Sequence, residues 1–291
     1  MPARIRLRRS EWLLTAYFCY TAVVALVLPL RAPIPVLTVC VNAVVVAGFG
    51  ILATAESLRK STLFSMMRDW YPAPLMLLAY REMGWFAPSH HSYTLEQTWV
   101  RWDKMLLNDW GVKAAIEALG PVLPALLEIS YTLVYTIPVF SVATLYAYRH
   151  RARVDRFLTT FLLGTLVSYA LFPYFPSEPP RTVFPMQDFP SWETPFRRFN
   201  WELLGGYGIH TSVFPSAHVS GAFSGAFAMI RLLPERRWVG RSLTVLAALI
   251  ATATVYGRYH YAADAFAGLG VAVAAEMISR ALDRRGSIKP L

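Results

Sequence analysis

Charged residues are scarce in this sequence of 291 residues, because only 16% of them are Asp, Glu, Lys or Arg. Soluble globular domains carry about 25%, so this sequence has too little charge to cover an ordinary water-facing surface. Instead, 55% of the residues are hydrophobic and the mean hydropathy is positive. The composition excludes most soluble folds and indicates a protein that folds in lipid.

Cysteines and long polar linkers are also scarce. Cys19 and Cys40 are the two cysteines, and both fall inside apolar runs, which argues against a disulfide framework or a zinc site. Apolar runs recur from Trp12 to Leu282 without a long polar linker, which favours one structural domain. We divide it into N-terminal membrane helices with an interfacial segment (1–120), a C-terminal helical core (121–282) and a cytoplasmic tail (283–291).

Seven apolar runs are candidate membrane helices. They are Trp12 to Leu30, Val36 to Ala55, Pro121 to Tyr146, Phe157 to Phe175, Phe214 to Leu233, Arg241 to Tyr256 and Ala262 to Leu282. The first run follows basic residues as a signal peptide would, but it is long and lacks a cleavage site, so we expect an uncleaved helix. The pattern predicts an all-α integral membrane protein, a polytopic bundle of about six to eight transmembrane helices.

The formal net charge of +10 comes largely from basic clusters beside these runs. The clusters are Arg4, Arg6, Arg8 and Arg9; Arg149, Arg151, Arg153 and Arg156; Arg231, Arg236, Arg237 and Arg241; and Arg280, Arg284, Arg285 and Lys289. Cytoplasmic loops concentrate Arg and Lys, so the clusters predict topology and not a nucleic-acid surface. They place the loop 176–213 and His260 on the opposite face of a bacterial inner membrane or an equivalent membrane.

The segment from Glu56 to Gly120 is amphipathic and is the hardest to place. We expect its tryptophans to be interfacial anchors; these are Trp70, Trp85, Trp99, Trp102 and Trp110. An even number of crossings must separate the first two basic clusters, whereas three apolar runs lie between them. The run from Pro72 to Ala87 is the best candidate for the extra crossing, provided that Arg81 and Glu82 pair or face the bundle.

Three short segments at predicted helix ends carry residues suited to chemistry. They are Pro-Ser-Glu-Pro-Pro-Arg at 176–181, Pro-Ser-Ala-His at 215–218 and Gly-Arg-Tyr-His-Tyr-Ala-Ala-Asp at 257–264. His260 and Asp264 are four residues apart, so on a helix the carboxylate can orient one imidazole nitrogen and leave the other free to attack. A structural hydrogen-bonded pair is the alternative, but ionisable groups in a membrane are costly and usually functional.

Ser216 and His218 stand at the start of the next predicted helix. Free N–H groups at a helix start and the Ser216 hydroxyl suit a phosphate oxygen, and His218 can act as general acid and base. A plain helix start with an interfacial His218 explains the same residues. Gly221 and Gly225 are spaced for close helix packing.

Arg181 and Arg258 are the candidate ligands of phosphate oxygens, since guanidinium groups bind phosphate bidentately. The alternatives are a solvated loop charge for Arg181 and a snorkelling interfacial side chain for Arg258. We leave His90, His91, His210 and Glu128 outside the site. The sequence shows no clustered carboxylates and no His/Cys set, so we expect no metal and no other cofactor.

Together the segments resemble the type-2 phosphatidic acid phosphatase superfamily, which also includes vanadium haloperoxidases. The likeness covers roughly Pro121 to Leu282 and is carried by Pro215, Ser216, His218, His260 and Asp264. It implies that His260 is the nucleophile, Asp264 its partner and His218 the general acid/base, without a catalytic metal. The Ser-Arg pair of the common pattern is replaced by Ala253 and Thr254, so Arg258 and Arg181 are expected to supply the phosphate-binding charge.

The Pro-Pro-Arg segment and His260-Tyr261 resemble the branch that contains inositol phosphorylceramide synthases. We therefore expect a lipid phosphatase or a phospholipid head-group transferase that acts through a phosphohistidine. Its expected partners are a phospholipid or lipid phosphate substrate and membrane lipids. The alternatives are a vanadate-dependent haloperoxidase and a non-catalytic lipid-binding or transport protein.

Overall fold

The computed structural model describes residues 6–86, 91–185, 188–209, 211 and 213–287. Within these residues the chain is helical and contains no β-strand. Six segments are long and apolar enough to cross a membrane, judged by length and composition: Arg9–Val27, Ile34–Arg59, Val122–Ala147, Arg151–Tyr174, Pro234–Tyr256 and Ala262–Arg285. The predicted all-α polytopic membrane fold is therefore confirmed.

The helices are numbered here in chain order, and short 3₁₀ or π turns join several of them. They are α1 (Arg9–Val27), α2 (Ile34–Arg59), α3 (Thr62–Trp70), α4 (Pro72–Met83), α5 (Thr94–Lys104), α6 (Val112–Glu117), α7 (Val122–Leu133), α8 (Ile137–Ala147), α9 (Val154–Leu171), α10 (Pro180–Val183), α11 (Pro195–Tyr207), α12 (Ala217–Leu232), α13 (Arg237–Tyr256) and α14 (Ala262–Ser287).

Ion pairs gather arginines from the first three basic clusters at one end of the bundle, which we call the basic end, and Asp283, which lies within the fourth cluster, is a partner in three of these pairs. The pairs are Arg8–Asp69, Arg151–Asp69, Arg9–Asp283, Arg156–Asp283, Arg231–Asp283 and Arg153–Glu235. Arg4 and Lys289 lie outside the described residues. Since the clusters share one end, the helices between them alternate in direction, as the charge pattern predicts.

Helix α4 runs from the basic end toward the opposite end of the bundle, where the charge pattern predicts an extra crossing, but it is not one of the six segments long enough to cross a membrane. It follows Asp69 at the basic end, and at its other end Arg81 donates a hydrogen bond to the carbonyl of Tyr207 at 2.9 Å. Glu82 is completely buried and accepts a hydrogen bond from Thr21 at 3.0 Å. The carboxyl group therefore faces the bundle and not lipid. The helix ends at Met83, before the predicted limit at Ala87, which lies outside the described residues.

Helix α12 lies at the centre of the C-terminal core, between α9, α13 and α14. Small residues allow this approach: a Cβ atom on Gly164 of α9 would lie 2.0 Å from Oγ of Ser224. A Cβ atom on Gly225 would lie 2.8 Å from Ile137, which confirms the expected close packing at this glycine. This packing fixes the start of α12, where His218 is located.

Trp99 is not an interfacial anchor, in contrast to the prediction. Only 7% of the residue is exposed, and its ring stacks on Phe214 at 5.1 Å and packs against Tyr261 at 5.5 Å. Trp102 and Trp110 are exposed, as anchors would be. Helix α5 therefore packs its Trp99 face against Phe214 and Tyr261, next to His260. The segment before residue 121 thus contributes α5 to the surroundings of the site.

Candidate active site

The loop between α13 and α14 carries the predicted nucleophile. The backbone N–H groups of Tyr259 and His260 both donate to the carbonyl of Thr254 at 2.9 Å, which closes the end of α13. Arg258 has a φ of 64°, in the left-handed region that is uncommon for residues other than glycine. His260 lines a cavity inside the bundle, whereas Arg258 does not.

Asp264 contacts both His260 and the backbone of this loop. Its Oδ2 accepts hydrogen bonds from Nδ1 of His260 at 3.3 Å and from the N–H of Tyr261 at 2.9 Å. Burial, assisted by the charge of Arg181, lowers the pKa of His260 to about 3. The imidazole is therefore neutral near pH 7, and Nε2 is the ring nitrogen that is not bonded to Asp264.

His218 occupies the second position of α12, close to His260. Ser216 caps this helix, because its hydroxyl accepts a hydrogen bond from the N–H of Val219 at 3.4 Å. The ring of His218 stacks on Tyr131 at 4.8 Å and meets the ring of His260 edge-on at 5.5 Å between centroids. Two imidazoles thus face the same space, as an acid/base and a nucleophile must.

Arg181 belongs to the short helix α10 and is tied to the nucleophile loop. Its backbone N–H donates to the carbonyl of Arg258 at 3.2 Å. Its guanidinium lies 5.6 Å from the ring centroid of Tyr259, and its Nη1 donates to the carbonyl of the same residue at 3.5 Å. Among the described residues, Arg181 is the one Arg or Lys that lines the cavity.

The cavity has a volume of about 340 Å³. Arg181, His218 and His260 form its charged and ionisable part, and tyrosines from five segments of the chain form an aromatic wall; these are Tyr80, Tyr131, Tyr135, Tyr169 and Tyr259. Apart from Thr165, the remaining wall is apolar and includes Ala73, Met76 and Leu77 of α4 and Pro138 and Val139 of α8. A phosphate with an attached hydrocarbon group matches this division of polar and apolar walls.

Two predicted phosphate ligands lie outside the cavity lining. Ser216 is completely buried, and its hydroxyl serves as the cap of α12. Arg258 is also completely buried, and its Nη1 donates to Oδ2 of Asp103 at 2.6 Å. The geometry gives both residues a role in holding the loops, and it leaves Arg181 as the guanidinium placed to meet a phosphate.

A buried polar network around Glu128 was not predicted as part of the site. Its carboxylate accepts hydrogen bonds from Arg197 at 2.9 Å, from the hydroxyl of Tyr259 at 2.6 Å and from Asn200 at 2.7 Å. The network connects α7 and α11 with Tyr259, whose ring lies under Arg181. A carboxylate within a membrane-spanning run was the one sequence signal for it.

Helix α5 contributes a second support that the sequence did not reveal. Oδ1 of Asp103 accepts a hydrogen bond from the N–H of Ala262 at 2.9 Å, and Oδ2 accepts from Arg258. Asp103 thus holds both the loop and the first residue of α14.

In the described part of the chain, no group of three or more His, Cys, Asp or Glu side chains is arranged to hold a metal ion.

Comparison with known proteins gives one match. The family model described as the PAP2 superfamily matches residues 97–278, which is more than half of the chain. The matched range includes Arg181, His218, His260 and Asp264, and also Asp103. No curated protein and no solved structure matches the chain.

Proposed function

The chain belongs to the PAP2 superfamily, and from this premise we propose that it transfers the phosphoryl group of a lipid phosphoester through a phosphohistidine at His260. Membership in the family supports phosphatase-type phosphoryl transfer in general. The observation that carries the more specific proposal is that His260, His218 and Arg181 line one cavity. A nucleophile, an acid/base and a fixed positive charge are the groups that this chemistry requires.

In the first step, Nε2 of His260 attacks the phosphorus atom. The bond between phosphorus and the leaving oxygen breaks, the electron pair stays on that oxygen, and His218 donates a proton to it. Arg181 stabilises the negative charge on the non-bridging oxygens, which is the largest contribution that a protein makes to phosphoryl transfer. Asp264 orients His260 and stabilises the positive charge that develops on its ring.

In the second step, water or an alcohol attacks the phosphohistidine. His218 now accepts the proton of the attacking hydroxyl, and the bond between phosphorus and Nε2 of His260 breaks with its electron pair returning to the ring. Attack by water makes the protein a phosphatase, and attack by a lipid alcohol makes it a transferase. The likeness of Pro179-Pro180-Arg181 and His260-Tyr261 to the inositol phosphorylceramide synthase branch supports the transferase.

The apolar wall of the cavity supports a lipid as the substrate. Leu77 of α4 and Val139 of α8 line the cavity and are exposed by 56% and 47%. Helix faces of this kind are in contact with acyl chains when the protein is in a bilayer. A lipid tail can therefore remain near the membrane while its phosphate reaches His260.

We infer the side of the membrane from the basic end. Since Arg-rich loops stay in the cytoplasm, the site at the opposite ends of α12 and α13 would face away from the cytoplasm. Substrates would then come from the outer or lumenal leaflet.

The proposal is tested by trapping the intermediate. The purified protein is mixed with radiolabelled phosphatidic acid in detergent micelles and quenched in alkali, since phosphohistidine is stable to alkali and labile to acid. Wild type should retain label on the protein, whereas His260→Ala should retain none and should show no turnover. The same label on His260→Ala would refute the assignment of the nucleophile.

Two reagents extend this test. Vanadate should inhibit, because it takes up the five-coordinate geometry of the transition state that Arg181 is placed to stabilise. A chelator should leave activity unchanged, since the described residues provide no metal-ligand group. A strict requirement for added magnesium or zinc would contradict the proposed mechanism.

A further inference from the structure

Four of the tyrosines that line the cavity belong to none of the sequence motifs: Tyr131, which stacks on His218, and three others. Tyr80 lies on α4, Tyr135 lies in the 3₁₀ turn between α7 and α8, and Tyr169 lies near the end of α9. The rings of Tyr80 and Tyr169 are 5.9 Å apart. Their helical segments therefore bring phenol groups to one wall of the cavity. A ligand made only of hydrocarbon would not require these polar groups.

The phenol groups are placed as hydrogen-bond donors. The hydroxyl of Tyr80 accepts a hydrogen bond from the backbone N–H of Ile209 at 2.9 Å, which leaves its own proton for another acceptor. The hydroxyl oxygen of Tyr135 lies 3.5 Å from Nε2 of His218. An oxygen atom bound at this point can contact the phenol of Tyr135 and the acid/base together.

The proposed mechanism puts a reacting oxygen at this same point. His218 gives its proton to the leaving oxygen in the first step and takes a proton from the attacking oxygen in the second. Both oxygens must therefore lie within hydrogen-bond reach of its ring. Tyr135 is next to that position, and Tyr80 and Tyr169 continue the wall away from it.

The charge of the cavity wall indicates which kind of phosphoryl acceptor it can bind. Phenols are neutral, and Arg181 is the one Arg or Lys that lines the cavity among the described residues. A neutral hydroxyl suits such a wall, because it accepts hydrogen bonds from phenols while donating its own proton to His218. The adjoining apolar residues, Met76 and Leu77 of α4 and Val139 of α8, fit a hydrocarbon chain attached to that hydroxyl.

We propose that Tyr80, Tyr135 and Tyr169 form an acceptor subsite that holds the hydroxyl of a lipid alcohol against His218, so that the alcohol receives the phosphoryl group in preference to water. The inference rests on the proposed function of the same cavity. The alcohol oxygen forms the new bond to phosphorus, the bond from phosphorus to His260 breaks, and the alcohol proton passes to His218. The products are a lipid phosphate and free His260.

The test measures how the phosphohistidine divides between alcohol and water. The donor is para-nitrophenyl phosphate, whose leaving group needs no proton from His218, so formation of the phosphohistidine is separated from the acceptor step. Full-length protein is placed in phosphatidylcholine vesicles that contain deuterated dioctanoylglycerol as the acceptor. Mass spectrometry gives the deuterated lipid phosphate, and a colorimetric assay gives inorganic phosphate.

Wild type should transfer to the lipid alcohol in preference to water. Tyr135→Phe should reduce the ratio of transfer to hydrolysis by about tenfold, the effect of losing one well-placed hydrogen bond. Tyr80→Phe and Tyr169→Phe should reduce it by smaller factors. The control is Tyr207→Phe, because Tyr207 is 70% exposed and does not line the cavity, and its ratio should equal that of wild type.

The outcomes separate this inference from the proposed function. If the tyrosine variants form phosphohistidine and keep the wild-type ratio, the acceptor subsite is wrong and the phosphohistidine mechanism stands. If wild type only hydrolyses at saturating dioctanoylglycerol, the preference for a lipid alcohol is wrong. If wild type forms no phosphohistidine from para-nitrophenyl phosphate or from phosphatidic acid, the proposed function itself fails.

Discussion

Asp103 of α5 and Arg258 of the nucleophile loop form an ion pair of 2.6 Å in which both side chains are completely buried. The two residues are 155 positions apart in the chain. Asp103 also accepts a hydrogen bond from the N–H of Ala262, the first residue of α14. An amphipathic segment before the motif-bearing core thus fixes the loop from which His260 enters the cavity.

Asp103→Asn should destabilise the protein and reduce activity together. The substitution leaves the Arg258 guanidinium buried without an opposite charge, which costs about 3 kcal/mol or more. Thermal unfolding in detergent and the rate of phosphate release measure the two effects. Glu193→Gln is the matched control, because Glu193 pairs with Arg198 at 3.0 Å and both side chains are 67% exposed. Equal melting temperatures for the two variants would contradict a structural role for the buried pair.

Arg181→Gln should reduce kcat/KM by about a hundredfold or more while the protein still folds. Arg181 is the guanidinium that lines the cavity, and the loss of one group that stabilises transition-state charge has an effect of this size. The affinity for vanadate should fall in parallel, since vanadate mimics that transition state. Arg198→Gln, at an exposed position of the same connection between α9 and α12, is the comparison. Wild-type inhibition by vanadate in Arg181→Gln would remove Arg181 from the phosphate site.

Tyr259→Phe tests whether the Glu128 network positions Arg181. The hydroxyl of Tyr259 bonds to Glu128 at 2.6 Å and its ring lies under the guanidinium, so a shifted ring should displace Arg181 and reduce kcat by about tenfold. Glu128→Gln should have a similar effect, and the double variant should lose little more than either alone. Vanadate affinity separates positioning from general instability, because a purely structural role would lower the melting temperature and leave that affinity unchanged.

The pH dependence of phosphohistidine formation should reflect the low pKa of His260. Burial disfavours the charged imidazole and lowers its pKa to about 3, so the nucleophile stays neutral as the pH falls from 7 to about 4. The burst of para-nitrophenol in a single turnover should keep its rate over this range. A decrease with a midpoint near 6.5, the usual value for histidine, would show that His260 is more hydrated than the structure indicates.

The same pKa has a consequence for stability. The unfolded chain binds a proton at His260 below about pH 6.5, whereas the folded chain does so near 3. The contribution of this group to stability is therefore complete above pH 6.5 and is lost as the pH falls toward 3. His260→Ala should unfold with a weaker acid dependence in this window, measured by melting temperature against pH.

The side of the membrane can be tested with single cysteines. In a background with Cys19 and Cys40 replaced by serine, Glu193→Cys in the connection between α9 and α12 should react with an impermeant thiol reagent on intact cells. Glu235→Cys at the basic end should react only after lysis, because Glu235 pairs with Arg153 there. Both positions are exposed, at 67% and 47%. The opposite pattern would place the cavity on the cytoplasmic face.

The sequence predicts the elements of this fold well because its signals are local. Each apolar run can be recognised within about twenty residues, and the charge pattern of the basic clusters pointed to the segment that forms α4. The proximity of His218 and His260 could also be predicted, since each histidine belongs to a short motif at a predicted helix end. Arg258 shows the limit of this approach: its spacing suits a phosphate ligand, and its partner is decided by Asp103, far away in the chain.

Trp99 shows the same limit for the amphipathic segment. A tryptophan among polar residues beside membrane helices suggests an anchor, but Phe214 and Tyr261 provide a ring-lined pocket that only the folded chain contains. The acceptor tyrosines are a further case, because tyrosines in apolar runs have no distinguishing spacing. Their shared wall results from the packing of three separate helical segments.

The shortness of α4 has a consequence for the surrounding bilayer. Its 12 residues rise by about 18 Å, whereas the hydrocarbon layer is about 30 Å thick. A bilayer that matched the length of this helix would be locally thin beside it, with head groups drawn toward the cavity that α4 lines. Lipids with longer chains resist such thinning. The rate at which a substrate phosphate reaches His260 should therefore depend on the thickness of the host membrane.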